Sequence, residues 1–506
     1  MIHRTLTLLG LAIALAIPAQ AAPAKPNILF IITDDQGYGD WSVNGHPLLK
    51  TPHVDQLAAE SVRLENFYVS PSCSPTRAAL LTGMHEFRNG ITHTQHPRVS
   101  LPKEAITLPE LLATAGYRTG FVGKWHLGSP PSGHGFEWCS TNLGGPFEHF
   151  NPAMVRNGKK TKETGYREDI YFSDAMDFIT ETKDQPWFMY LSTYSPHDPL
   201  AAPEEFVAPF RGKVAEDRAQ YLGMVANLDY NIGRIMAFLK ERDLDENTIV
   251  VLLSDNGQTW GLDVYNANMR GCKVTAWEGG TRTFSYWRWT NHWPPHQVDN
   301  LTAHLDVLPT LCAVAGAKIP ESLQPEIEGF NLLPVLESKD PIAWHDDRFL
   351  YHHVARWPGG MAADHKYAMA GARQGNYLLV RSRPCDNPNC EEANGQQCET
   401  LRSVEEGNKN APYTAENAQF HWGVTPRDHW ALFEVKKDPG CLNDLSTAEP
   451  ERAAAMAAAY DAWWDKAYPV MVERGGDAEI VWTKVQLDLI AKKKAAKAAK
   501  QNNPDQ

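Results

Sequence analysis

This 506-residue sequence has no excess of positive charge. It contains 48 Lys and Arg residues and 61 Asp and Glu residues, which give a formal net charge of −13. This balance excludes a general electrostatic attraction to nucleic acid or to an anionic membrane surface. Beyond the N-terminal segment, the sequence also lacks an apolar run long enough to span a bilayer. We therefore predict neither a nucleic-acid partner nor a membrane partner, although a local basic pocket is compatible with the composition.

Cysteine is scarce, because eight Cys residues are too few in a chain of this length to hold a small scaffold together by disulfides. Three of them, Cys385, Cys390 and Cys398, lie in one polar segment, which favours a local disulfide there. A zinc site in that segment is the weaker alternative, because no His of suitable spacing lies beside these residues. The first cysteine is Cys73, so none near the N-terminus is available to carry a lipid.

The N-terminal segment has the three parts of a secretory signal peptide. His3 and Arg4 form a short basic start, an apolar run extends from Leu6 to Ile17, and Ala19-Gln20-Ala21 is a small-residue cleavage site. A membrane anchor is the alternative, but the apolar run is too short to span a bilayer. We therefore expect cleavage near Ala22 and an exported protein, either periplasmic or secreted.

Short, continuously apolar runs alternate with segments of helical periodicity. The first run, Asn27 to Thr33 (NILFIIT), has the composition of a strand that is buried on both faces. Further strand candidates are Tyr117 to Val122, Trp187 to Thr193 and Thr248 to Ser254, and helical segments such as Leu108 to Ala115 and Ala219 to Arg242 precede them. This alternation predicts an α/β fold with a large, mainly parallel or mixed sheet flanked by helices.

The character of the sequence changes near residue 370. Beyond it come shorter strand candidates (GNYLLVRS and HWALFEV), loops rich in Cys and Asn, and an Ala-rich helical segment near residues 449–466. We predict four parts: a signal peptide (1–21), a large α/β domain (22–370), a C-terminal α+β subdomain with a short antiparallel sheet (371–480), and a helical or disordered tail (481–506).

Polar and ionisable side chains directly follow each of the four strand candidates. They are Asp34 and Asp35, Lys124 with His126, His197, and Asp255 with Asn256. In open α/β sheets, ligands bind outside the carboxyl ends of the strands. Any one of these residues alone is explained as a loop polar group or a helix cap, but their recurrence at four strand ends indicates a shared site.

Asp34, Asp35, Asp255 and Asn256 offer only oxygen ligands, with no neighbouring His or Cys pair. Oxygen ligands of this kind suit Ca²⁺ or Mg²⁺ rather than zinc, and we favour calcium. Two adjacent Asp residues on one loop would repel each other without a cation between them, so a bound metal also explains why the pair is tolerated.

The segment Cys73-Ser74-Pro75-Thr76-Arg77 is typical of a turn that enters a helix, since Pro75 fits the first helical turn. Arg77 comes four residues after Cys73, so both side chains share one helix face. An anion at this helix start would meet backbone N–H groups and a guanidinium fork. The alternative is a buried cysteine beside a capping motif.

Cys73-x-Pro75-x-Arg77 followed by Leu81-Thr82-Gly83 resembles the signature of the type I, formylglycine-dependent sulfatases of the alkaline-phosphatase superfamily. Other segments of this resemblance follow in the family's order, and they are Thr33 to Asp40 (TDDQGYGD), Gly123 to Gly128 (GKWHLG), Pro196-His197, Ser254 to Gly257 (SDNG), and Lys273 ahead of Glu278 to Arg282 (EGGTR). The resemblance extends from about residue 26 to about residue 340, and Trp430 to Leu445 is similar to the family's C-terminal subdomain.

The resemblance implies an alkaline-phosphatase-like fold and a sulfuric ester hydrolase. A metal would be bound by Asp34, Asp35, Asp255, Asn256 and an oxygen of residue 73, once a formylglycine-generating or radical maturation enzyme has oxidised Cys73 to formylglycine. Arg77, Lys124 and Lys273 would surround the sulfate. His197 or Lys273 would protonate the leaving alcohol, and His126 would take the proton of the second hydroxyl of the hydrated residue 73.

As the substrate we favour a sulfated polysaccharide or its oligosaccharides over a small aryl sulfate, because the 16 Trp and 17 Tyr residues of an exported chain can present aromatic platforms for sugar rings. A phosphodiesterase or phosphonate hydrolase of the same superfamily is the alternative enzyme, and a non-catalytic glycan-binding relative is the alternative from another class. Two departures from the family pattern, Cys272 and Thr283-Phe284, place the shape of the substrate pocket in question. His93 and His304 lie in family-like segments, and we expect packing or substrate-shaping roles for them.

Overall fold

The protein is described by a computed structural model that covers residues 25–381 and 429–481, apart from Lys183, Pro341, Ala343 and Asp346. The predicted signal peptide, the cluster of Cys385, Cys390 and Cys398, and the tail beyond Val481 lie outside the described residues. Within the described part, no helix reaches the length and apolar character that crossing a membrane requires.

The described residues form strands in three sheets. Numbered along the chain, the strands are β1 (Asn27–Thr33), β2 (Val62–Leu64), β3 (Phe67–Tyr68), β4 (Arg118–Gly123), β5 (Trp138–Asn142), β6 (Ala153–Arg156), β7 (Lys159–Lys162), β8 (Trp187–Ser192), β9 (Thr248–Ser254), β10 (Arg282–Thr283), β11 (Ser285–Trp289), β12 (His296–Val298), β13 (Thr302–Ala303), β14 (Phe349–His353), β15 (Ala370–Gln374), β16 (Tyr377–Arg381) and β17 (Ala431–Glu434).

Ten of these strands form the central sheet in the order β12-β2-β11-β9-β1-β8-β4-β5-β6-β7. The strands from β9 through β5 run parallel to one another, whereas β11 and β6 are antiparallel to their neighbours β9 and β5. The sheet is therefore mixed, with a parallel centre and antiparallel flanks, and it confirms the predicted fold class.

The described part also contains α-helices, several of which cover the two faces of this sheet. They are α1 (Pro52–Ala59), α2 (Cys73–Thr82), α3 (Glu86–Asn89), α4 (Leu108–Thr114), α5 (Arg167–Thr182), α6 (Glu204–Val207), α7 (Glu216–Glu241), α8 (Glu278–Thr281), α9 (Val307–Ala315), α10 (Leu333–Glu337) and α11 (Pro450–Glu473).

Strand β1 shows why the sheet needs two helical layers. Because side chains alternate between the faces of a strand, Ile28, Phe30 and Ile32 enter one apolar cluster while Leu29 and Ile31 enter another. Helices α2, α4 and α9 contribute to the first cluster, and α1, α5 and α7 contribute to the second. Every residue of β1 is buried, as expected for a strand covered on both sides.

Two smaller sheets complete the described part. Strands β10, β3 and β13 form a three-stranded sheet, and β14, β15, β16 and β17 form an antiparallel four-stranded sheet. Helix α11 packs against β15, β16 and α3, so this second sheet has its own apolar cluster. The division of the chain near residue 370 stays a prediction.

Candidate active site

Four parallel strands bring their carboxyl ends to one edge of the central sheet. The register pairs Thr33 with Ser254 between β1 and β9, and pairs Ser192 of β8 with both Ile32 and Gly123. The residues that follow these strands therefore leave the sheet side by side. This register explains how Asp34, Asp255 and Lys124, which are far apart in sequence, reach one place.

Three carboxylates and one thiol form the centre of the site. Asp34, Asp35, Asp255 and Cys73 each offer a ligand atom, and these four atoms lie within 4.8 Å of one another. The Cys73 Sγ is 3.5 Å from an oxygen of Asp34 and 3.7 Å from an oxygen of Asp35. All four side chains are buried, so their charges interact with little screening by water.

The backbone after β1 turns so that two consecutive aspartates point to the same centre. In a continuing strand, successive side chains would lie on opposite faces of the sheet. Asp35 instead adopts a φ of +62°, a left-handed conformation that Asp tolerates better than most residues. The Asp35 N–H donates a hydrogen bond to Asp255 Oδ1 at 3.2 Å, which fixes the turn against the end of β9.

Each carboxylate of the centre has its own basic partner. Lys124 Nζ is 2.5 Å from Asp34 Oδ2, Lys273 Nζ is 2.6 Å from Asp35 Oδ1, and the Arg77 guanidinium is 2.7 and 2.9 Å from Asp255 Oδ2. The three positive charges balance the three carboxylates and surround the position of Cys73. These predicted residues are thus brought together by α2, by the end of β4 and by the loop that follows β9.

Burial and the neighbouring charges together set the pKa values of these groups. Burial raises the pKa of Asp34, but the nearby Lys124, His197 and Arg77 charges outweigh it and hold the pKa well below its usual range. Burial together with the Asp34 charge raises the pKa of Asp255 to about 6. The pKa values of Lys124 and Lys273 are raised, because the attraction of the carboxylates exceeds the cost of burial. Both lysines therefore stay charged near an anionic ligand.

Cys73 begins helix α2, with Ser72 in an extended conformation before it. Burial and the charge of Asp255 raise the pKa of the Cys73 thiol far above its ordinary value. An unmodified thiol at this place stays protonated and is a poor nucleophile, because the thiolate is the reactive form. Arg77 lies one helical turn later and also donates to Ser192 Oγ at 2.5 Å, which ties the helix to β8.

The two predicted histidines approach the centre from different loops. His197 Nε2 is 3.7 Å from Asp35 Oδ2, and its other ring nitrogen is 2.5 Å from the Asp198 carbonyl oxygen. His126 is buried, with its Nε2 3.2 Å from the Thr94 carbonyl oxygen and its Nδ1 without a hydrogen-bond partner. Burial and the Lys124 charge lower the pKa of His126 well below its usual value, so this ring is neutral.

Three further side chains contact the site, and the sequence did not predict them. Ser192 joins Arg77 to the Lys124 carbonyl oxygen, Thr259 donates to Asp35 Oδ2 at 3.0 Å, and the Tyr194 ring lies 5.5 Å from Lys124 Nζ. Ser192 ends β8, so the rule that relates strand ends to ligand sites signals it. Thr259 and Tyr194 lie in irregular segments, where no periodic pattern marks them.

The remaining predicted residues lie in the protein interior. His304 is buried, with its Nδ1 3.0 Å from the Tyr68 carbonyl oxygen and its Nε2 3.2 Å from Ser70 Oγ, and His93 is also buried. Phe284 packs edge-on against Trp41 in the apolar core. In the described part of the chain, Cys73, Cys139, Cys312 and Cys441 carry free thiols.

The residues present suit a divalent cation. Asn256 Oδ1 is buried and accepts no hydrogen bond, although its amide nitrogen donates to Asp35 Oδ1 at 2.9 Å. A buried amide oxygen without a partner is costly unless a cation satisfies it. Together with three carboxylates, it gives the oxygen-rich ligand set that hard cations prefer.

Comparisons with known proteins show the family to which the chain is similar. A family model described as Sulfatase matches residues 26–317. The N-acetylgalactosamine-6-sulfatase of Homo sapiens is 35% identical over 362 residues, which cover 63% of this chain and 67% of that protein. Arylsulfatase A of Homo sapiens is 33% identical over 373 residues, which cover 64% and 70% respectively.

A solved structure is similar over a larger part of the chain. The structure of Ps i-CgsB in complex with k-i-k-neocarrahexaose has 27% sequence identity and a TM-score of 0.69, and the match covers 87% of this chain and 92% of that one. The residues matched by the family model include all the predicted site residues, which extend from Asp34 to Lys273.

Proposed function

The chain belongs to the sulfatase family and is a sulfuric ester hydrolase, and we propose that it uses a formylglycine made from Cys73 as its nucleophile. The observation that carries this proposal is the position of Cys73, which lies 3.5 Å from Asp34 Oδ1 and is surrounded by Arg77, Lys124 and Lys273. A nucleophile placed there is next to the groups that would hold a sulfate.

The chemical argument for modification is that an unmodified cysteine cannot complete the cycle. The hydrated aldehyde of formylglycine has two hydroxyls on one carbon. One oxygen would attack sulfur as the S–O bond to the alcohol breaks. Loss of a proton from the second hydroxyl would then re-form the aldehyde C=O as the C–O bond to the sulfate group breaks, which releases sulfate. A cysteine sulfur has no second hydroxyl, so its sulfate adduct would not be released.

The proton transfers are assigned to the two histidines. His197 lies at the more open side of the centre, with 22% of its side chain exposed, so its Nε2 is placed to protonate the departing alcohol oxygen, and Lys273 is the alternative donor. His126 is buried, and its Nδ1 is free to accept a proton. We assign to it the proton of the second hydroxyl of residue 73.

The basic side chains offset the charge that develops on the sulfate oxygens. Arg77, Lys124 and Lys273 stay protonated and are fixed by buried ion pairs, so they need little rearrangement when that charge appears. Membership of the family implies a metal ion, and we propose that Asp34, Asp35, Asp255, Asn256 and residue 73 hold it. A divalent cation bound there would supply Lewis-acid polarisation of the sulfate.

We propose calcium in preference to magnesium as this metal. The ligand set consists of carboxylates and an amide held by the protein, and Ca²⁺ accepts such irregular, protein-supplied cages more readily than Mg²⁺ does. Metal analysis of the purified enzyme, together with restoration of activity by CaCl₂ or MgCl₂ after chelation, tests this choice. Restoration by magnesium alone would contradict it.

The substrate we propose is a sulfated polysaccharide or its oligosaccharides. Two of the similar proteins support this class by name: the N-acetylgalactosamine-6-sulfatase, and Ps i-CgsB, which was solved with a neocarrahexaose. The predicted signal peptide supports export to a compartment where polysaccharides are met. A maturation enzyme that oxidises Cys73 is then a required partner in the producing cell.

The test is mass spectrometry of the residue-73 peptide from protein made with a maturation enzyme, alongside sulfate release from 4-nitrophenyl sulfate and sulfated glycans. We expect the peptide to have lost the thiol in exchange for an aldehyde, and sulfate release to disappear in Cys73→Ala. Cys312→Ala, which alters another buried cysteine, is the matched control and keeps activity. An unmodified Cys73 in an active enzyme, or phosphodiester cleavage without sulfate release, would overturn the proposal.

A further inference from the structure

The loop between β5 and β6 presents apolar side chains to solvent. Leu143 is 52% exposed, Phe147 is 60% exposed and Phe150 is 48% exposed, and all three lie within residues 143–150. Single exposed apolar side chains are ordinary, but several on one short loop mark a surface that binds something. We call these three side chains the rim patch.

The loop that carries the rim patch is held firmly by hydrogen bonds. Its backbone and side-chain bonds are Leu143 N to Ala153 O at 2.8 Å, Asn142 Nδ2 to Gly145 O at 2.5 Å, Ala153 N to Glu148 Oε2 at 3.0 Å, and Arg167 N to His149 O at 2.7 Å. A fixed loop presents its aromatic rings without a large entropic cost on binding. This arrangement fits a prepared binding surface.

The same loop is joined to the active site through Arg167 and Tyr194. The buried Arg167 guanidinium donates to the Gly145 carbonyl oxygen at 3.3 Å and lies 4.5 Å from the centre of the Tyr194 ring. That ring is also 5.5 Å from Lys124 Nζ, which pairs with Asp34. The Arg167 and Tyr194 side chains therefore form a chain of contacts from the loop to Lys124.

A second link connects Phe150 to the loop of His197. The Phe150 ring is 5.2 Å from the ring of Tyr166, and the Tyr166 hydroxyl lies 3.3 Å from Ser195 Oγ, two residues before His197. Phe150 is thus connected through Tyr166 and Ser195 to the loop that carries His197, to which we assign the protonation of the alcohol.

Positive charge accompanies the rim patch. Strand β7 exposes Lys159, Lys160 and Lys162, and Lys162 pairs with Ala153 directly beside the loop. Lysines on an edge strand also prevent pairing with other chains, so they are not evidence of a site by themselves. Beside exposed aromatic rings in a chain of net charge −13, they make this rim complementary to an anionic ligand.

We propose that the rim patch is a subsite that packs against the sugar ring next to the one whose sulfate is cleaved, in an oligosaccharide carrying further sulfate groups. This inference rests on the proposed function. Exposed aromatic rings offer an apolar face on which the C–H face of a sugar ring packs. Additional sulfates along the chain would lie near the lysines of β7.

The test compares substrates that reach the rim patch with one that does not. Phe147→Ala, Phe150→Ala and the double variant are assayed on hexasaccharide fractions of carrageenan, chondroitin sulfate, heparin and fucoidan, and on 4-nitrophenyl sulfate. For the hexasaccharide that the unaltered enzyme cleaves best, we expect the double variant to lose ten- to hundredfold in kcat/KM, with less than a twofold change on the aryl sulfate. Tyr230→Ala, an equally exposed aromatic on α7, is the control and leaves both rates unchanged.

Several results would overturn the inference while leaving the proposed function intact. They are unchanged hexasaccharide rates in the double variant, an equal loss on both substrates, and cleavage of the aryl sulfate without cleavage of any hexasaccharide. A dimer that dissociates in the double variant without a change in rate would assign the patch to a second copy of the chain instead. Sulfate release from none of the substrates by the unaltered, modified enzyme would reject the proposed function itself.

Discussion

Arg77 joins three structural elements through one guanidinium. Its Nε and Nη2 contact Asp255 Oδ2 at 2.9 and 2.7 Å, and its Nη1 reaches Ser192 Oγ and the Lys124 carbonyl oxygen. A lysine keeps the charge but not the planar set of donors. We expect Arg77→Lys to lower kcat on 4-nitrophenyl sulfate by about a hundredfold, equivalent to about 3 kcal/mol.

Arg88→Lys is the matched control for this prediction, because Arg88 forms a partly exposed ion pair with Glu326 on the surface. Such pairs contribute only about 0–1 kcal/mol, so we expect little change in rate or in melting temperature. Formylglycine content at residue 73 must be equal in all samples. A kcat within threefold of the unaltered enzyme for Arg77→Lys would show that charge alone is sufficient there.

The ionisation of Asp40 makes the stability of the fold, rather than the catalytic rate, depend on pH. Burial raises the pKa of Asp40 to about 7, although hydrogen bonds from the Tyr221 hydroxyl and the Gly37 N–H partly oppose this. Between the unfolded pKa of 3.8 and a folded pKa of about 7, the folded state binds more protons than the unfolded state. The free energy of unfolding therefore decreases as pH rises through this range and is level above it.

In Asp40→Asn this contribution is absent, because an amide does not ionise. We expect the variant to gain in melting temperature relative to the unaltered protein from pH 4 to 7, by the equivalent of on the order of 3–4 kcal/mol in unfolding free energy. Thermal unfolding at constant ionic strength measures it. Tyr221→Phe removes one hydrogen bond to the carboxylate, so its own decline should extend to higher pH. A difference in melting temperature between Asp40→Asn and the unaltered protein that is independent of pH would refute the assignment.

At the scale of elements, the end of β4 depends on a glycine. Gly123 has a φ of +104°, and a Cβ there would lie 1.8 Å from the Ser192 carbonyl oxygen of β8. Any side chain must push β4 away from β8, and Lys124 follows directly. We expect Gly123→Ala to lower the melting temperature strongly and to abolish most activity, measured by calorimetry and by sulfate release.

A substitution at Gly116 separates the two causes of the expected destabilisation, which are backbone strain and the clash with Ser192. It also has a positive φ, at +84°, but no atom lies within 4 Å of a Cβ at that position. Gly116→Ala therefore has the backbone strain without the clash. We expect its free energy of unfolding to fall by about 1 kcal/mol, with activity retained. If the two variants were equally destabilised, the clash with Ser192 would have no role.

The sequence alone predicts some of these elements and not others. The parallel centre was predictable because β1, β8 and β9 are apolar on both faces, and the strand-end rule then selected Asp34, Lys124 and Asp255. The β6–β7 hairpin was not, because its KKTK strand lacks apolar alternation. Strands β10 and β13, with two residues each, are too short to leave a pattern.

Lys273 is a residue of the site that local sequence patterns do not predict. It lies in a long irregular loop after β9, where neither periodicity nor a strand end marks it, and only the family resemblance selected it. Its position depends on tertiary contacts: Lys273 N donates to the Gln258 carbonyl oxygen, and Val274 N donates to that of Pro71. Contacts between segments so distant in sequence are not encoded in local patterns.

At the scale of the whole molecule, the four-stranded sheet supports the loop that carries Lys273. Ala276 and Trp277 at the end of this loop pack with Leu378, Val380 and Phe433 of β16 and β17. The Arg270 guanidinium donates to the Cys441 carbonyl oxygen at 3.1 Å. The C-terminal part of the chain therefore supports the candidate site without supplying any of the predicted site residues.

A buried ion pair joins the four-stranded sheet to helix α8, next to the three-stranded sheet that contains Tyr68. Arg373 of β15 contacts Glu278 at 3.2 Å and donates to the Tyr68 hydroxyl at 2.9 Å, and all three side chains are buried. Removing one charge of a buried pair leaves the other without compensation and costs about 3–5 kcal/mol. We expect Arg373→Met to lower the melting temperature accordingly, and to lower kcat because the support of the Lys273 loop is loosened.

The double variant Arg373→Met with Glu278→Gln tests whether the pair itself is responsible. It leaves no unpaired charge, so we expect it to be less destabilised than the sum of the two single variants, with a coupling of about 1–3 kcal/mol in thermal unfolding. Additive effects would mean that Arg373 acts instead through its hydrogen bonds to the Gly375 and Tyr377 carbonyl oxygens of its own hairpin. In that case the charge of Glu278 would not contribute to the support of the Lys273 loop, and kcat would stay unchanged when Glu278 is neutralised.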